Sequence, residues 1–472
     1  MTRLFHAELA WLPDGPTRDV LFAVADGRFV AVTPGLPAPT GATRLTGLVL
    51  PGLANAHSHA FHRALRGRTQ RGAGDFWTWR EQMYAVAATL DPDSYLELAT
   101  AVYAEMALAG ITTVAEFHYL HHAPGGVRYD DPNAMGHALV EAARRAGIRI
   151  TLLDTLYLTA SVDGAPLAGT QLRFGDGDLD GWARRVSAFT LRGQPHARLG
   201  AAAHSVRAVP KAALAGFRAA APAGPIHVHL SEQPAENEAC QARHGCSPTE
   251  LLERHDLLGP DVVAVHATNL SGRDIVLLGG SGTGVCLCPT TERELADGIG
   301  PGRALAEAGS PLSVGSDSHA VIDLFAEARG VEEHERLASR RRGVFTPAEL
   351  LWAATAAGHA AAGWPGAGRL VVGAPADLVA VRLDSPRTAG VDPSAIVFAA
   401  TAADVTDVIS AGQHIVEAGW HQTASPLRPP LPVPPFGVDH DHRVDHDHRV
   451  AGALPGPASV MINNAGAGRA ER

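Results

Sequence analysis

Apolar and polar positions along this chain follow two periods. Short apolar runs at 47–54, 112–117, 149–157, 197–203, 226–230, 262–266, 283–288 and 311–315 read as buried strands. Between them, helical spacing recurs at roughly 92–109, 131–146, 178–192, 207–220, 247–258, 323–341 and 346–362. Gly110 follows the first of these helices, where a glycine commonly ends a helix. Strands that alternate with helices in this way predict an α/β fold, a (β/α)8 TIM barrel, with a doubly wound sheet as runner-up. Ahead of the barrel, Asp19–Val24 and Arg28–Val32 flank Asp26-Gly27 and predict a hairpin. Strand-like runs return at 373–381 and 405–409. Residues 1–50 and 370–430 are therefore expected to form a small flanking β-sandwich from both chain ends, with the barrel at 51–369.

The last stretch differs. Residues 426–435 are proline-rich, and Asp439-His440-Asp441-His442-Arg443-Val444 is repeated at once as Asp445–Val450. The segment 431–472 reads as a disordered tail. Its four repeat histidines could hold metal loosely, but no role in the chemistry is assigned to them.

Composition narrows the classes. With 472 residues, 46% hydrophobic and 19% charged, the chain is globular. A formal charge of -10 argues against a nucleic-acid partner. No apolar run is long enough to span a membrane, and the first residues lack a signal-peptide core, so a cytoplasmic protein is expected. Cys240, Cys246, Cys286 and Cys288 suggest neither a disulfide framework nor a zinc ligand set, and the last two read as core residues.

The chemistry lies at the strand ends. The motif Asn55-Ala56-His57-Ser58-His59 follows the apolar run Gly47–Leu53, and a period of 2 puts His57 and His59 on one face. Later strands end in His227-Val228-His229-Leu230-Ser231-Glu232, in His266, and in Gly315-Ser316-Asp317-Ser318-His319. In a barrel these ends converge on one face. His57, His59, His229 and Asp317 make a ligand set for one zinc ion per chain, with a water completing it. His227 shares the parity of His229 and is the alternative ligand; His229 is preferred. Asp317 serves as ligand and as base for the water, His266 hydrogen-bonds the water or the developing charge, and Glu232 shuttles a proton to a leaving nitrogen.

These motifs resemble the amidohydrolase superfamily over residues 1 to about 430. Its binuclear members often carry a carboxylated lysine at the end of strand 4. Here the only lysine is Lys211, and strand 4 ends in Ala203-His204-Ser205-Val206-Arg207, so the resemblance is to the mononuclear deaminase branch. Within it, Phe76–Tyr84, Glu116-Phe117-His118-Tyr119 and His204–Val209 are similar to the formimidoylglutamate deiminases. In that family these loops hold the substrate, which implies contacts from Arg80, Tyr119, His204 and Arg207. His62 stands where some members carry Gln, and is the departure from the pattern. The implied substrate is a small dicarboxylate, N-formimino-L-glutamate. It would be hydrolysed to N-formyl-L-glutamate and ammonia in histidine breakdown, with Arg guanidinium groups pairing with its carboxylates. A homodimer is common in the superfamily and is expected here. Two other readings stay open: a mononuclear deaminase of a nucleobase, nucleoside or other amidine, and a catalytically silent barrel used as an assembly protein. A silent barrel should hold no zinc.

Overall fold

The computed structural model describes residues 2–70 and 74–423, and the expected tail at 431–472 lies outside them. Chain ends and centre build two eight-stranded sheets. The first opens with β1 (Arg3–Leu12), β2 (Gly15–Ala25), β3 (Arg28–Thr33) and β4 (Thr43–Pro51). The second runs through β5 (Leu53–Ser58), β6 (Ile111–His118), β7 (Arg149–Leu156), β8 (Ala197–Ala203), β9 (Ile226–Leu230), β10 (Val262–His266), β11 (Gly284–Leu287) and β12 (Leu312–Val314). Then β13 (Leu378–Val381), β14 (Val405–Ser410), β15 (Gln413–Glu417) and β16 (Trp420–His421) return to the first sheet.

The second sheet is parallel throughout, with β5 to β12 in sequence order. Its two ends meet: Ser58 pairs with Asp317, the His59 amide donates to the Asp317 carbonyl at 3.2 Å, and the Asp317 amide to His57 at 3.1 Å. The sheet is therefore a barrel, and its closing seam runs through three of the sequence-chosen ligands. Intervening helices carry their own stop signals. Pro92–Leu108 begins with Asp91 and Ser94 in a capping box and is followed by Gly110 at φ +87°.

The flanking sheet runs β16-β15-β14-β13-β4-β1-β2-β3. Its centre is β4, parallel to β1 and antiparallel to β13, so the two chain ends share one hydrogen-bonded layer. Phe5, Val20, Phe22, Phe29, Leu45, Leu378 and Ile409 gather as its core. No described helix is long and apolar enough to cross a membrane.

Three readings need correction. The run at 47–54 is not one barrel strand: Thr43–Pro51 belongs to the flanking sheet, and the barrel strand starts at Leu53. Gly52 marks the break. A Cβ there would lie 2.3 Å from Thr112 Oγ1 and 2.7 Å from Asp377 Cβ, so only glycine lets the chain pass between the sheets. Second, Phe76–Thr89 is a helix capped by Asp75 and Thr78, not a loop, so Arg80 projects from a rigid element. Third, the helix expected at 346–362 is interrupted by a π-helical turn at Ala353–Ala357. Just beyond it His359 Nε2 donates to the Gly52 carbonyl at 3.0 Å, and Gly358 packs on the Ala54 carbonyl.

Candidate active site

The site forms where strand ends converge. His57 is the penultimate residue of β5 and His59 follows the strand directly. Their Nε2 atoms lie 3.3 and 3.4 Å from Asp317 Oδ1, just past β12. His229, on β9, brings its Nε2 to 3.1 Å from His57 Nε2. His227 points elsewhere: its Nε2 contacts the Ala361 carbonyl at 2.9 Å. Burial and the neighbouring rings hold the His57 and His229 pKa values well below the usual range. Burial and His57 bring His59 down to about 3. All three rings are thus neutral, the form that offers a lone pair.

The tautomers follow from the outer contacts. His59 Nδ1 lies 2.9 Å from the Phe117 carbonyl, and His229 Nδ1 lies 3.0 Å from the His204 carbonyl. A carbonyl only accepts, so each Nδ1 bears the proton and each Nε2 presents its lone pair inward. Inward lone pairs crowded beside a carboxylate repel one another unless a cation sits among them. Three imidazoles with one carboxylate is a donor set that suits a divalent first-row metal, so these residues fit such an ion.

A buried lattice of hydrogen bonds fixes the seam beneath this cluster. Asn55 Nδ2 donates to Ser316 Oγ at 2.7 Å, and its Oδ1 accepts the Ser316 amide at 2.9 Å. His319 lies between Ser58 Oγ (3.0 Å) and Ser316 Oγ (2.9 Å), and Glu116 accepts from Ser58 and from the Ala60 amide. Burial raises the Glu116 pKa to about 7. Backbone strain collects at the same strand ends: Ser231, His266, Ala267, Asp317 and His319 all have φ between +42° and +69°.

His266 closes β10 inside a ring of carboxylates. Its Nε2 is 3.8 Å from both Glu232 Oε1 and Asp317 Oδ2, and its Nδ1 is 3.6 Å from Glu292 Oε1. Burial opposes a charge on this ring, but Glu232, Glu292 and Asp317 overcome it and raise the pKa to about 10. Asp297 lies nearby, pushed up to about 9 by burial and Glu232.

A cavity of about 410 Å³ opens over the cluster, reached by His59, His229, Glu232, His266 and Asp317. Its walls are largely aromatic: Phe76, Trp77, Trp79, Tyr84, Tyr119, Tyr157 and Phe174. His62, Tyr119 and His204 line it too. His62 Nε2 and Tyr119 Oη are 2.8 Å apart, so the two are bonded to each other. The two arginines differ. Arg80 lies 4.5 Å from the Trp77 ring and 5.5 Å from Tyr84, and its buried Nε has no partner among the described residues. Arg207 donates to Glu232 at 2.9 Å and lies 2.9 Å from Glu236.

The residues expected to bind metal or substrate or to act in catalysis all reach the cluster or its cavity, whereas His227, the alternative ligand, does not. Sequence reasoning missed Glu236, Glu292 and Asp297, and left His319 without a role. Glu236 did leave a signal: it lies four residues past Glu232, in the first turn of the helix Pro234–His244.

A model described as "Amidohydrolase family" matches residues 48–415, and one described as "Formimidoylglutamate deiminase HutF, N-terminal domain" matches residues 2–45. The chain is 37% identical over 440 residues to a formimidoylglutamate deiminase of Pseudomonas aeruginosa, covering 89% of this chain and 96% of that one. An amidohydrolase structure from Brucella melitensis superposes with a TM-score of 0.83 at 34% identity, covering 89% and 96%. A zinc-bound adenosine deaminase from Xanthomonas campestris gives 0.75 at 25% identity, covering 89% and 94%.

Proposed function

The chain belongs to the amidohydrolase family, and from that premise we propose that it hydrolyses N-formimino-L-glutamate to N-formyl-L-glutamate and ammonia, a step of histidine degradation. In this reading His57, His59, His229 and Asp317 hold one zinc ion per chain. Zinc in such a site supplies Lewis acidity and makes a neighbouring water easier to deprotonate.

The remaining work falls to side chains. Asp317 keeps Oδ1 toward the histidines, so Oδ2 is free to take the proton of the attacking water. Water adds to the formimino carbon, and Glu232 passes a proton to the nitrogen that departs as ammonia. His266, facing both carboxylates, hydrogen-bonds the oxygen as charge develops on it. Tyr119, His204 and His62 border the space beside the reacting group. Arg80 takes one carboxylate of the substrate and Arg207 the other.

The observation that carries this reading is Arg80, a half-buried guanidinium that lines the cavity over the histidine–aspartate cluster with a buried Nε that has no partner among the described residues. The aromatic walls favour a second reading, deamination of a planar ring such as a nucleobase. The deciding experiment incubates purified, zinc-loaded protein with N-formimino-L-glutamate and assays ammonia, N-formylglutamate and formamide. Ammonia with N-formylglutamate is expected. Formamide with glutamate would mean the other C–N bond is cut. No reaction in protein that holds one zinc would turn the assignment to ring substrates.

A further inference from the structure

Glu232 has two neighbours that place different demands on it. Its Oε2 accepts a hydrogen bond from Arg207 Nη2 at 2.9 Å, while Oε1 faces His266. On another edge of the same guanidinium, Arg207 Nε lies 2.9 Å from Glu236 Oε2. Glu236 is 2% exposed, and its Oε1 accepts the Ser231 amide at 3.0 Å. Glu236 is thus anchored to the backbone, and its Oε2 faces Arg207 as an ion pair with no hydrogen bond of its own among the described residues, whereas the Glu232 carboxylate is hydrogen-bonded to Arg207 alone and has no backbone anchor.

A guanidinium flanked by two carboxylates has little net attraction left for a third. Yet Arg207 lines the cavity, and the proposed substrate carries two carboxylates. For Arg207 to receive one, a resident carboxylate must yield. Glu232 has the fewer ties.

We propose that the Arg207–Glu232 ion pair is a latch displaced by the substrate. A substrate carboxylate takes the Nη2 edge of Arg207, and Glu232 is released to serve the reacting nitrogen. Glu236 remains as the fixed counterion that keeps Arg207 aimed into the cavity. Proton transfer then depends on the carboxylate as well as on the formimino group, so the latch is a specificity device. It rests on the deimination reading above.

The test uses the metal-loaded, full-length enzyme and calorimetric binding of glutarate, a dicarboxylate with no scissile bond. Glu232→Gln removes the competing charge, so glutarate should bind about tenfold more tightly than to wild type. Equal or weaker binding overturns the latch. Should the variant fail to fold, the wild type decides through N-butylformamidine, which keeps the formimino group and lacks both carboxylates. The latch predicts slow turnover that added acetate raises several-fold and saturably; an acetate-insensitive rate overturns it. The two ideas fail separately. Tighter glutarate binding by the variant, with no ammonia from N-formimino-L-glutamate in wild type, sinks the deimination reading and leaves the latch standing. Deimination with unaltered glutarate binding does the reverse.

Discussion

Arg80 and Arg207 have the same side chain and opposite surroundings. Arg207 is held by two glutamates, while Arg80 rests against Trp77 and Tyr84 with a buried Nε that has no partner among the described residues. A buried donor without an acceptor is costly unless a ligand supplies one. Arg80→Met should therefore raise KM for N-formimino-L-glutamate by roughly 10²-fold, with kcat changed far less, as loss of a charge-assisted bidentate contact predicts. Steady-state kinetics together with zinc content checks this; an unchanged KM would remove Arg80 from substrate binding. Glu232→Gln should keep its zinc and lose about 10²-fold or more in kcat, the usual worth of a positioned acid–base group. A variant that kept full turnover would exclude the proton shuttle.

At the scale of elements, strand order alone does not bring His57 and His59 to Asp317; the seam between β5 and β12 does. Asn55 and Ser316 are 261 positions apart, and both are fully buried. Asn55→Leu leaves the buried Ser316 amide without its acceptor and the Ser316 hydroxyl with His319 as its remaining partner, so it should cost about 2–4 kcal/mol of stability and weaken zinc binding through Asp317 next door. Denaturant unfolding with a metal titration checks both. A second brace joins a helix to β7 and the segment after it. Arg185, on the helix Leu179–Ser187, pairs with Asp154 at 2.7 Å and Asp176 at 2.9 Å. Burial alone would raise both aspartate pKa values, but Arg185 and neighbouring histidines more than offset it, and both end below the ordinary range. A depressed folded-state pKa stabilises above the unfolded value and loses that contribution as pH falls. Arg185→Met should therefore cost about 3–5 kcal/mol near neutrality, and its gap to wild type should narrow below about pH 4. Unfolding measured across pH 2.5–7 decides, and a constant gap would refute the argument.

For the whole molecule, a cation held by His57, His59, His229 and Asp317, as proposed, would tie together parts of the barrel far apart in sequence. An ion that binds only the folded chain stabilises it by mass action, about 4 kcal/mol at a free concentration 1,000 times Kd. Chelation should therefore lower Tm, and zinc should restore it; an unchanged Tm would argue against a site built by the folded barrel. The proline-rich segment and the DHDHRV repeat lie outside the described residues. A chain ending near Phe436, reloaded with zinc, should keep kcat/KM within about twofold, since every residue assigned above precedes that point.

What could be read from the sequence was what depends on local order. A period of 2 puts His57 beside His59, and alternating strand and helix signals on this scale leave few architectures other than a barrel. The H-x-x-E spacing at His229 and Glu232 belongs to the same class, because neighbours on one strand end need no fold to bring them together. The split at Gly52 escaped notice because its cause, Thr112 and Asp377 pressing from either side, is remote in sequence. Arg80 read as a loop residue because aromatic residues hid a helix start that Asp75 and Thr78 cap. Which arginine is free, which glutamate can move, and how His266 comes to sit among Glu232, Glu292 and Asp317 were decided only in three dimensions. Charge pairing falls off with distance in space, and the fold alone sets that distance.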